Sequence, residues 1–517
     1  MICIELKNKD LGVVLTPPQT VEYIITRLGD IKDGQSILDP CVGPGIFIKK
    51  LIERGIDKSQ IFAYDINSEF LKEIQTWGVS TQVQDTLIAL YPDSYNKFDF
   101  IVGNPPYLNK ASAYVRKNKV KLRKIYGKVN AHETYAMFII NSIWRLKEGG
   151  RLGFITSDSF LTLSTHKKLR KFILNNCKII EILLAPKNLF SNQNVSTSPV
   201  IIILQKCSGQ KNKTQRENNL MSIIPRISNE QDYFNPPIVN KIRQIKYSSL
   251  PFNIFFTDVE EEILNLFEKA PRLDNYLQGY IGMHTHDNKK FIAAIEGSEL
   301  ANIFINRNDK ILDLNNKFKI INKKNLESDE WKPYLKRGGA DQYYRPIIEA
   351  LDWRKESRQN YDIPKNVPFE KEGIIISGIS SRLAARYMPS GCYWDSNKAI
   401  GFIIKDQSIS IHYALGLLNS SLYNYLAKGI INNTSSIQIT GIHALPIVLP
   451  DVITKNQVEK LVRKIIKNKR LDRNYNFSQE QKKIDKIIFK LCSKKFNLPD
   501  TLESKLVSEF SVYKNRD

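Results

Sequence analysis

Short apolar runs alternate with helical patterns through the first 206 residues, and this rhythm admits few folds. The runs are "SILDP" (36–40), "IFAYDI" (61–66), "STQVQD" (80–85), "FDFIVGN" (98–104), "RLGFIT" (151–156), "IIEILLA" (179–185) and "VIIILQ" (200–205). Helical periodicity predicts helices over 45–54, 68–76, 133–146 and 158–175, the last opening at a Ser157 or Asp158 cap. Strands that alternate with helices are covered on both faces in a parallel, doubly wound sheet, so the first half is expected to be α/β. "VIIILQ" follows "IIEILLA" with no helix between them, which predicts an antiparallel pair at the sheet edge.

At 517 residues the chain exceeds one ordinary core, and its second half has a different rhythm. Residues 207–256 are polar and irregular and read as a connector with one added strand. "TDVEEEILNLFEKAPRL" (257–273) predicts a helix with Thr257 as cap, an acidic first turn and a proline stop. Beyond it, short strands, Gly-rich turns and clusters of Arg, Tyr and Trp indicate an α+β domain. The tail, "NQVEKLVRKIIKNKR" and "SQEQKKIDKIIFKLCSKKF", forms two basic amphipathic helices. The expected division is therefore residues 1–240, 241–450 and 451–517, with the last segment packed on the middle one.

Charge narrows the partners. Lys+Arg 76 against Asp+Glu 53 leaves a net charge of +23, a surplus suited to a polyanion because each neutralised phosphate releases counterions. Cys3, Cys41, Cys177, Cys207, Cys392 and Cys492 form no CxxC pair, which argues for a reducing compartment and against a structural zinc site. No apolar run reaches the roughly 20 residues of a membrane span, and "MICIELKNKD" carries no signal-peptide core. A cytoplasmic protein with no membrane partner is expected.

"SILDPCVGPGIFIKKL" is a strand, a turn with Gly43 and Gly45, and a helix, with Asp39 at the strand end. In open α/β sheets ligands sit beyond the carboxyl ends of the strands, and glycine there allows close backbone approach. Asp65 ends the second run and Asp85 the third, suited to ribose hydroxyls and to an exocyclic amine. "GPGIFI" lacks the third glycine of a dinucleotide fingerprint, which favours a single adenosine-bearing cofactor. The fourth strand ends in "NPPY", Asn104 to Tyr107. Two prolines withdraw two donors and fix φ twice, so the chain leaves the sheet as a stiff loop that presents an amide and an aromatic ring.

The order "TPPQTVEYI", "DPCVGPGIF", "AYDI", "QDTL", "GNPPY" closely resembles the gamma-class N6-adenine DNA methyltransferases of restriction–modification systems, the TaqI-type enzymes. The likeness is strong over residues 11–206. It continues weakly in "YIGMHTHDNKKF", "YLKRGGADQYYRP", "LGLLNSSLYNYLAK" and "IDKIIFKLCSKKFNLPDTLESKL". It implies a class I, Rossmann-like S-adenosylmethionine-dependent fold followed by a target-recognition domain. By position, Thr16 and Pro17 would touch the methionine end of the cofactor, and Asp39, Cys41, Gly43 and Gly45 would surround its amino-acid part. Asp65 and Ile66 would hold ribose and adenine, and Asp85 the adenine amine. Asn104 and Pro105, with Pro106 and Tyr107 completing the motif, would bind the target amine. Tyr107 and Phe190, from "NLFSNQNVS", would stack on the target base.

An exocyclic amine is a poor nucleophile because its lone pair is delocalised. The side-chain carbonyl of Asn104 and the backbone carbonyl of Pro105 can draw the nitrogen toward sp³ and stabilise the charge that grows on it. A target inside a duplex must be flipped out, and stacking recovers about 1–3 kcal/mol per ring. Arg337, Arg345, Arg382, Arg386 and Tyr387 are candidate DNA contacts, since arginine reads guanine and binds phosphate. In "HTHD" (284–287) two histidines stand two apart; the sequence shows no further ligand, so the segment reads as a turn and no metal is expected. His132 reads as a helix-start residue, and no nuclease-like acidic–lysine cluster is legible. The expectation is a site-specific adenine methyltransferase for double-stranded DNA, acting as a monomer, with a separately encoded endonuclease as an open partner. RNA or protein-amide methylation, and a methylation subunit that needs a separate specificity chain, stay open.

Overall fold

The computed structural model of the protein describes residues 12, 14–89, 95–193, 198–258, 260–313, 316–336, 339–396, 398–431 and 436–511. Two compact units, Met1–Val259 and Glu260–Asp517, divide the chain.

The first unit is built on a nine-stranded sheet. Its strands are β1 (Ile37–Asp39), β2 (Ile61–Asp65), β3 (Ser80–Val83), β4 (Phe98–Gly103), β5 (Leu146–Ser157), β6 (Cys177–Leu184), β7 (Pro199–Lys206), β8 (Leu220–Ile224) and β9 (Asn240–Arg243). The order is β3-β2-β1-β4-β5-β7-β6-β8-β9. The first five are mutually parallel, with Ile37 of β1 opposite Ile61 of β2 and Phe100 of β4. Their carboxyl ends therefore lie along one edge, which is what places a site there. The helices α1 (Pro18–Leu28), α2 (Ile46–Glu53), α3 (Ser68–Thr76), α4 (Ala113–Lys117), α5 (Lys119–Tyr126) and α6 (Thr134–Arg145) belong to this half. Ile24, Ile37, Ile48, Leu51, Ile61 and Val102 are among the fully buried residues of its core.

Three expectations are corrected here. The antiparallel partner β7 is not at an edge: it lies between β5 and β6, pairing antiparallel with both, while β8 and β9 continue the sheet. Its residues Pro199–Leu204 are all buried, and an all-apolar strand is covered on both faces only inside a sheet. The helix expected over 158–175 is interrupted, with Ser159–Thr162 and Lys167–Asn176 separated by a 3₁₀ turn at Ser164–His166. Asp158 makes no cap bond; its carboxylate pairs with Arg226 at 2.6 Å. The division of the chain falls after 240, because the connector is tied back to the first unit. Phe255 N–H donates to Leu161 O at 2.8 Å, and the Arg170 guanidinium donates to Phe252 O.

The second unit opens with a helix at Glu261–Lys269, whose cap position is Glu260 rather than Thr257. It contains β10 (Leu277–Ile281), β11 (Ile292–Ile295), β12 (Ile320–Ile321), β13 (Trp331–Leu335), β14 (Glu349–Asp352), β15 (Gly373–Ser377), β16 (Ala385–Met388), β17 (Tyr393–Trp394) and β18 (Ala399–Ile404). They form a four-stranded sheet, β10-β18-β15-β16, and a five-stranded one, β12-β11-β14-β13-β17. The tail helices, Val452–Leu471 and Ser478–Phe496, bury Val458, Val462, Ile484 and Ile488 and belong to this same unit. Gly416, in the helix Ile411–Asn419, lets Val458 approach so closely that an added Cβ would lie 2.5 Å from it. Among the described residues, no helix is long and apolar enough to cross a membrane.

Candidate active site

A cavity of about 970 Å³ opens at the carboxyl ends of β1 to β4, at the upper end of the range of ligand pockets, about 300–1,000 Å³. Thr16, Asp39, Cys41, Gly43, Gly45, Asp65, Ile66, Asp85 and Asn104 all line it, residues drawn together from five separate stretches of sequence. Pro17 does not; it stands at the cap position of α1, where its missing N–H costs nothing. The glycine turn owes its shape to left-handed backbone at Gly43 (φ +51°) and Gly45 (φ +87°). A Cβ on Gly45 would meet Trp77 at 2.8 Å, whereas a Cβ on Gly43 would project into open space within the cavity.

The acids are held by the backbone of their own turns. Asp39 Oδ1 accepts from Cys41 N–H at 3.1 Å. Asp65 Oδ2 accepts from Gly43 N–H at 2.9 Å and its Oδ1 from Asn67 N–H at 2.8 Å, so this carboxylate also ties β2 to the glycine turn. Asp85 accepts from the Tyr114 hydroxyl at 2.9 Å through both oxygens. Burial raises all three carboxyls, Asp39 to about 8, with the nearby Asp65 adding to the rise at Asp39. Burial also pushes the Cys41 thiol well up, with Asp39 and Asp65 adding to it, so Cys41 is an uncharged wall. Burial favours the neutral form of these acids, and a cation bound beside them would offset that cost.

The Asn-Pro-Pro-Tyr loop is fixed from both sides. Asn104 Nδ2 donates to Val14 O at 3.0 Å and to Thr16 Oγ1 at 3.1 Å, which leaves Oδ1 as the outward acceptor. Tyr107 donates its hydroxyl to that oxygen at 2.9 Å. Thr134, the first residue of α6, donates to Pro106 O and accepts from Leu108 N–H at 3.0 Å. The rings of Tyr107 and Phe190 lie against each other, with centroids 6.5 Å apart and planes at 57°, and neither lines the cavity. Phe190 is only 1% exposed and part of the core.

Sequence reasoning missed Gln84, Tyr114, Thr134 and Phe138, which also line the cavity. Gln84 Nε2 is buried there without a hydrogen-bond partner, a donor facing an unfilled need. Its place beside Asp85 in "QDTL" was the one available signal. Tyr114 and Phe138 lie on helices whose periodicity carries no mark of a site.

In the second unit, Arg345 stands 3.8 Å from Asp341, and Arg382 is half-buried. Arg386 does not face solvent. It is 4% exposed on β16, opposite Ile375 of β15, and burial with Arg345 nearby lowers its guanidinium to about 10. Tyr387 gives its hydroxyl to Glu372 and stacks on His412. Arg337 lies outside the described residues. A second cavity, of about 680 Å³, is lined by Lys289, Arg307, Lys336, Arg345, Lys398 and Arg473, against the acids Asp341 and Glu349.

Residues 4–224 match the model of the N-6 DNA Methylase family, and residues 293–447 that of the TaqI-like C-terminal specificity domain. Type II methyltransferase M.HincII of Haemophilus influenzae is 31% identical over 185 residues, 35% of this chain and 34% of that protein. M.VspI of Vibrio sp. (strain 343) is 27% identical over 300 residues, 55% of this chain and 67% of that protein. The matched region thus spans about a third of the first relative and two thirds of the other. Among solved structures, the DrdV–DNA complex shares the fold at 14% identity, covering 89% of this chain and 57% of that one with a TM-score of 0.51. The methylase match thus falls in the first unit and the specificity match in the second, and each unit is similar to one of these two families.

Proposed function

We propose that the protein is a site-specific DNA adenine methyltransferase that transfers a methyl group from S-adenosylmethionine to N6 of a flipped-out adenine, within a restriction–modification or phage-defence system. The observation that carries this reading is the Asn-Pro-Pro-Tyr loop at the end of β4, with Asn104 opening onto the acid-lined cavity. The residues present suit the cofactor. Buried acids match its cationic end, Gly43 leaves room beside it, and the exposed Ile66 with Phe138 and Leu87 offers apolar surface for a purine. The orphaned amide of Gln84 is a donor for a purine nitrogen or a hydroxyl.

When bound, S-adenosylmethionine supplies an electrophilic sulfonium methyl. Asp65, with one lone pair on each oxygen already engaged by backbone N–H, keeps capacity for ribose hydroxyls. Asp85 receives the adenine amine by sharing or yielding its bond with Tyr114. Asn104 Oδ1 and the Pro105 carbonyl accept the protons of the target amine and polarise it, while Tyr107 receives the base; Phe190, buried in the core, supports the Tyr107 ring instead of stacking on the base. The first unit is then the catalytic domain, and Glu260–Asp517, tail included, reads the target. The basic cavity of the second unit suits a phosphate backbone. A specificity domain in the same chain supports action without a separate specificity subunit. We assign the protein to the cytoplasm, as a monomer when acting, with any cognate endonuclease encoded separately.

The test incubates the full chain with labelled S-adenosylmethionine and DNA, RNA or protein, then maps N6-methyladenine by modification-sensitive sequencing. Label in adenines of one short DNA sequence is the expected result. Label confined to RNA or protein, or dependence on an added subunit, overturns the reading.

A further inference from the structure

The pair His284 and His286 lacks in sequence the third ligand that a metal site needs, and the fold of the second unit supplies it. The turn after β10 pairs with a segment some way along the chain. His284 N–H donates to Asp362 O at 3.1 Å, and Asp362 N–H donates back to His284 O at 2.9 Å. Met283 and Thr285 are fully buried, while His284 is half-buried and His286 exposed on the side where Asp362 stands. The rings of His284 and His286 lie 4.5 Å apart, at 85° to one another. His286 Nε2 is 2.8 Å from Asp362 Oδ2. One donor atom from each of the three residues lies within 4.8 Å of the other two.

A surface hydrogen bond between His286 and Asp362 does not account for this arrangement. Their side chains are 57% and 75% exposed, where such a pair contributes little. Yet His286 holds a left-handed backbone (φ +60°), which is strained for a residue with a side chain, and its ring packs edge-on against a second imidazole. Lys289 and Lys290, which follow the two histidines, are drawn over the rings of Phe318 and Phe291. We propose that His284, His286 and Asp362 bind one Zn²⁺ ion. Tetrahedral zinc with bonds of about 2.0–2.2 Å sets its donor atoms roughly 3.4 Å apart, within reach of these three by small side-chain rotations. Two imidazoles and a carboxylate favour zinc or another late transition metal over magnesium or calcium. Three protein ligands on an open surface leave a fourth position for water or an external oxygen ligand. The ion would fasten the 283–287 turn, which precedes the matched specificity segment, to the segment that carries Asp362, within the second unit.

The test uses the full chain, stripped with a chelator and dialysed, titrated with ZnCl₂ by calorimetry and with CoCl₂ by visible absorption. One saturable equivalent and a tetrahedral Co²⁺ band are expected. His286→Asn keeps a residue that tolerates left-handed backbone, and Asp362→Asn keeps the side-chain shape; each is expected to weaken Zn²⁺ at least tenfold with its thermal transition intact. A stoichiometry of zero in the wild type, or Zn²⁺ affinity unchanged in both variants, overturns the site.

Discussion

Asn104 is where side-chain geometry and chemistry meet most closely. Its amide nitrogen is spent on Val14 O and Thr16 Oγ1, so the orientation of the carbonyl is not free to reverse. Asn104→Ala is expected to lower methyl transfer by about 10²–10³-fold, the range for loss of one preorganised polar partner, while cofactor affinity stays within a few fold. Tritium transfer and calorimetry measure the two. Asp39 gives a pH signature. Its carboxyl is raised to about 8 from an ordinary 3.8. Between those values the folded site holds a proton that the unfolded chain has lost, so its contribution to stability falls as pH rises across that window. A cationic ligand expels the same proton. Cofactor affinity is therefore expected to rise between about pH 6 and pH 7.5, by up to about tenfold per unit, and Asp39→Asn is expected to flatten the profile.

The prolines stiffen the Asn-Pro-Pro-Tyr loop, but a neighbouring helix fixes its position. Thr134 at the start of α6 holds Pro106 O and Leu108 N–H together. Thr134→Val leaves both backbone groups without their partner, at a cost of about 1–3 kcal/mol. The expected outcome is a lower thermal midpoint and a fall in kcat of about 10–100-fold with little change in cofactor affinity. Thr134→Ser, which retains the hydroxyl, should restore both. The strands β1 to β4 and helices α2, α3 and α6 were legible because apolar periodicity, glycine and proline are local signals. The interruption at Ser164–His166 was not. His166 is buried against Asn130 and Tyr135, at 3.1 Å from each, and such contacts leave no trace in helical periodicity.

For the chain as a unit, charge makes the most direct prediction. A net charge of +23 and a basic cavity in the specificity unit imply DNA affinity that falls steeply with salt, by about 10³-fold or more from about 50 to about 200 mM if six or more phosphates are contacted. Fluorescence anisotropy across that range checks it; a flat dependence removes the electrostatic case. Arg307→Ala and Lys398→Ala are each expected to reduce the log–log slope by about 1 without altering the methylated sequence. Arg345 lines the basic cavity, while Arg386 is buried in the sheet of β15 and β16. Base-reading and structural arginines look alike in a chain where only register separates them.

The motifs on which the proposed reaction rests were legible before any coordinates, because each is contiguous. A tetrapeptide, a glycine turn and acids at strand ends each act through the few residues around them. Pairings across long stretches of chain were decided only by the tertiary structure. They placed β7 inside the sheet, left Gln84 facing the cavity without a partner, closed Tyr114 onto Asp85 and brought Asp362 beside His284 and His286. Each depends on strand register or helix docking, set by the packing of whole elements, and no short window of sequence contains that information.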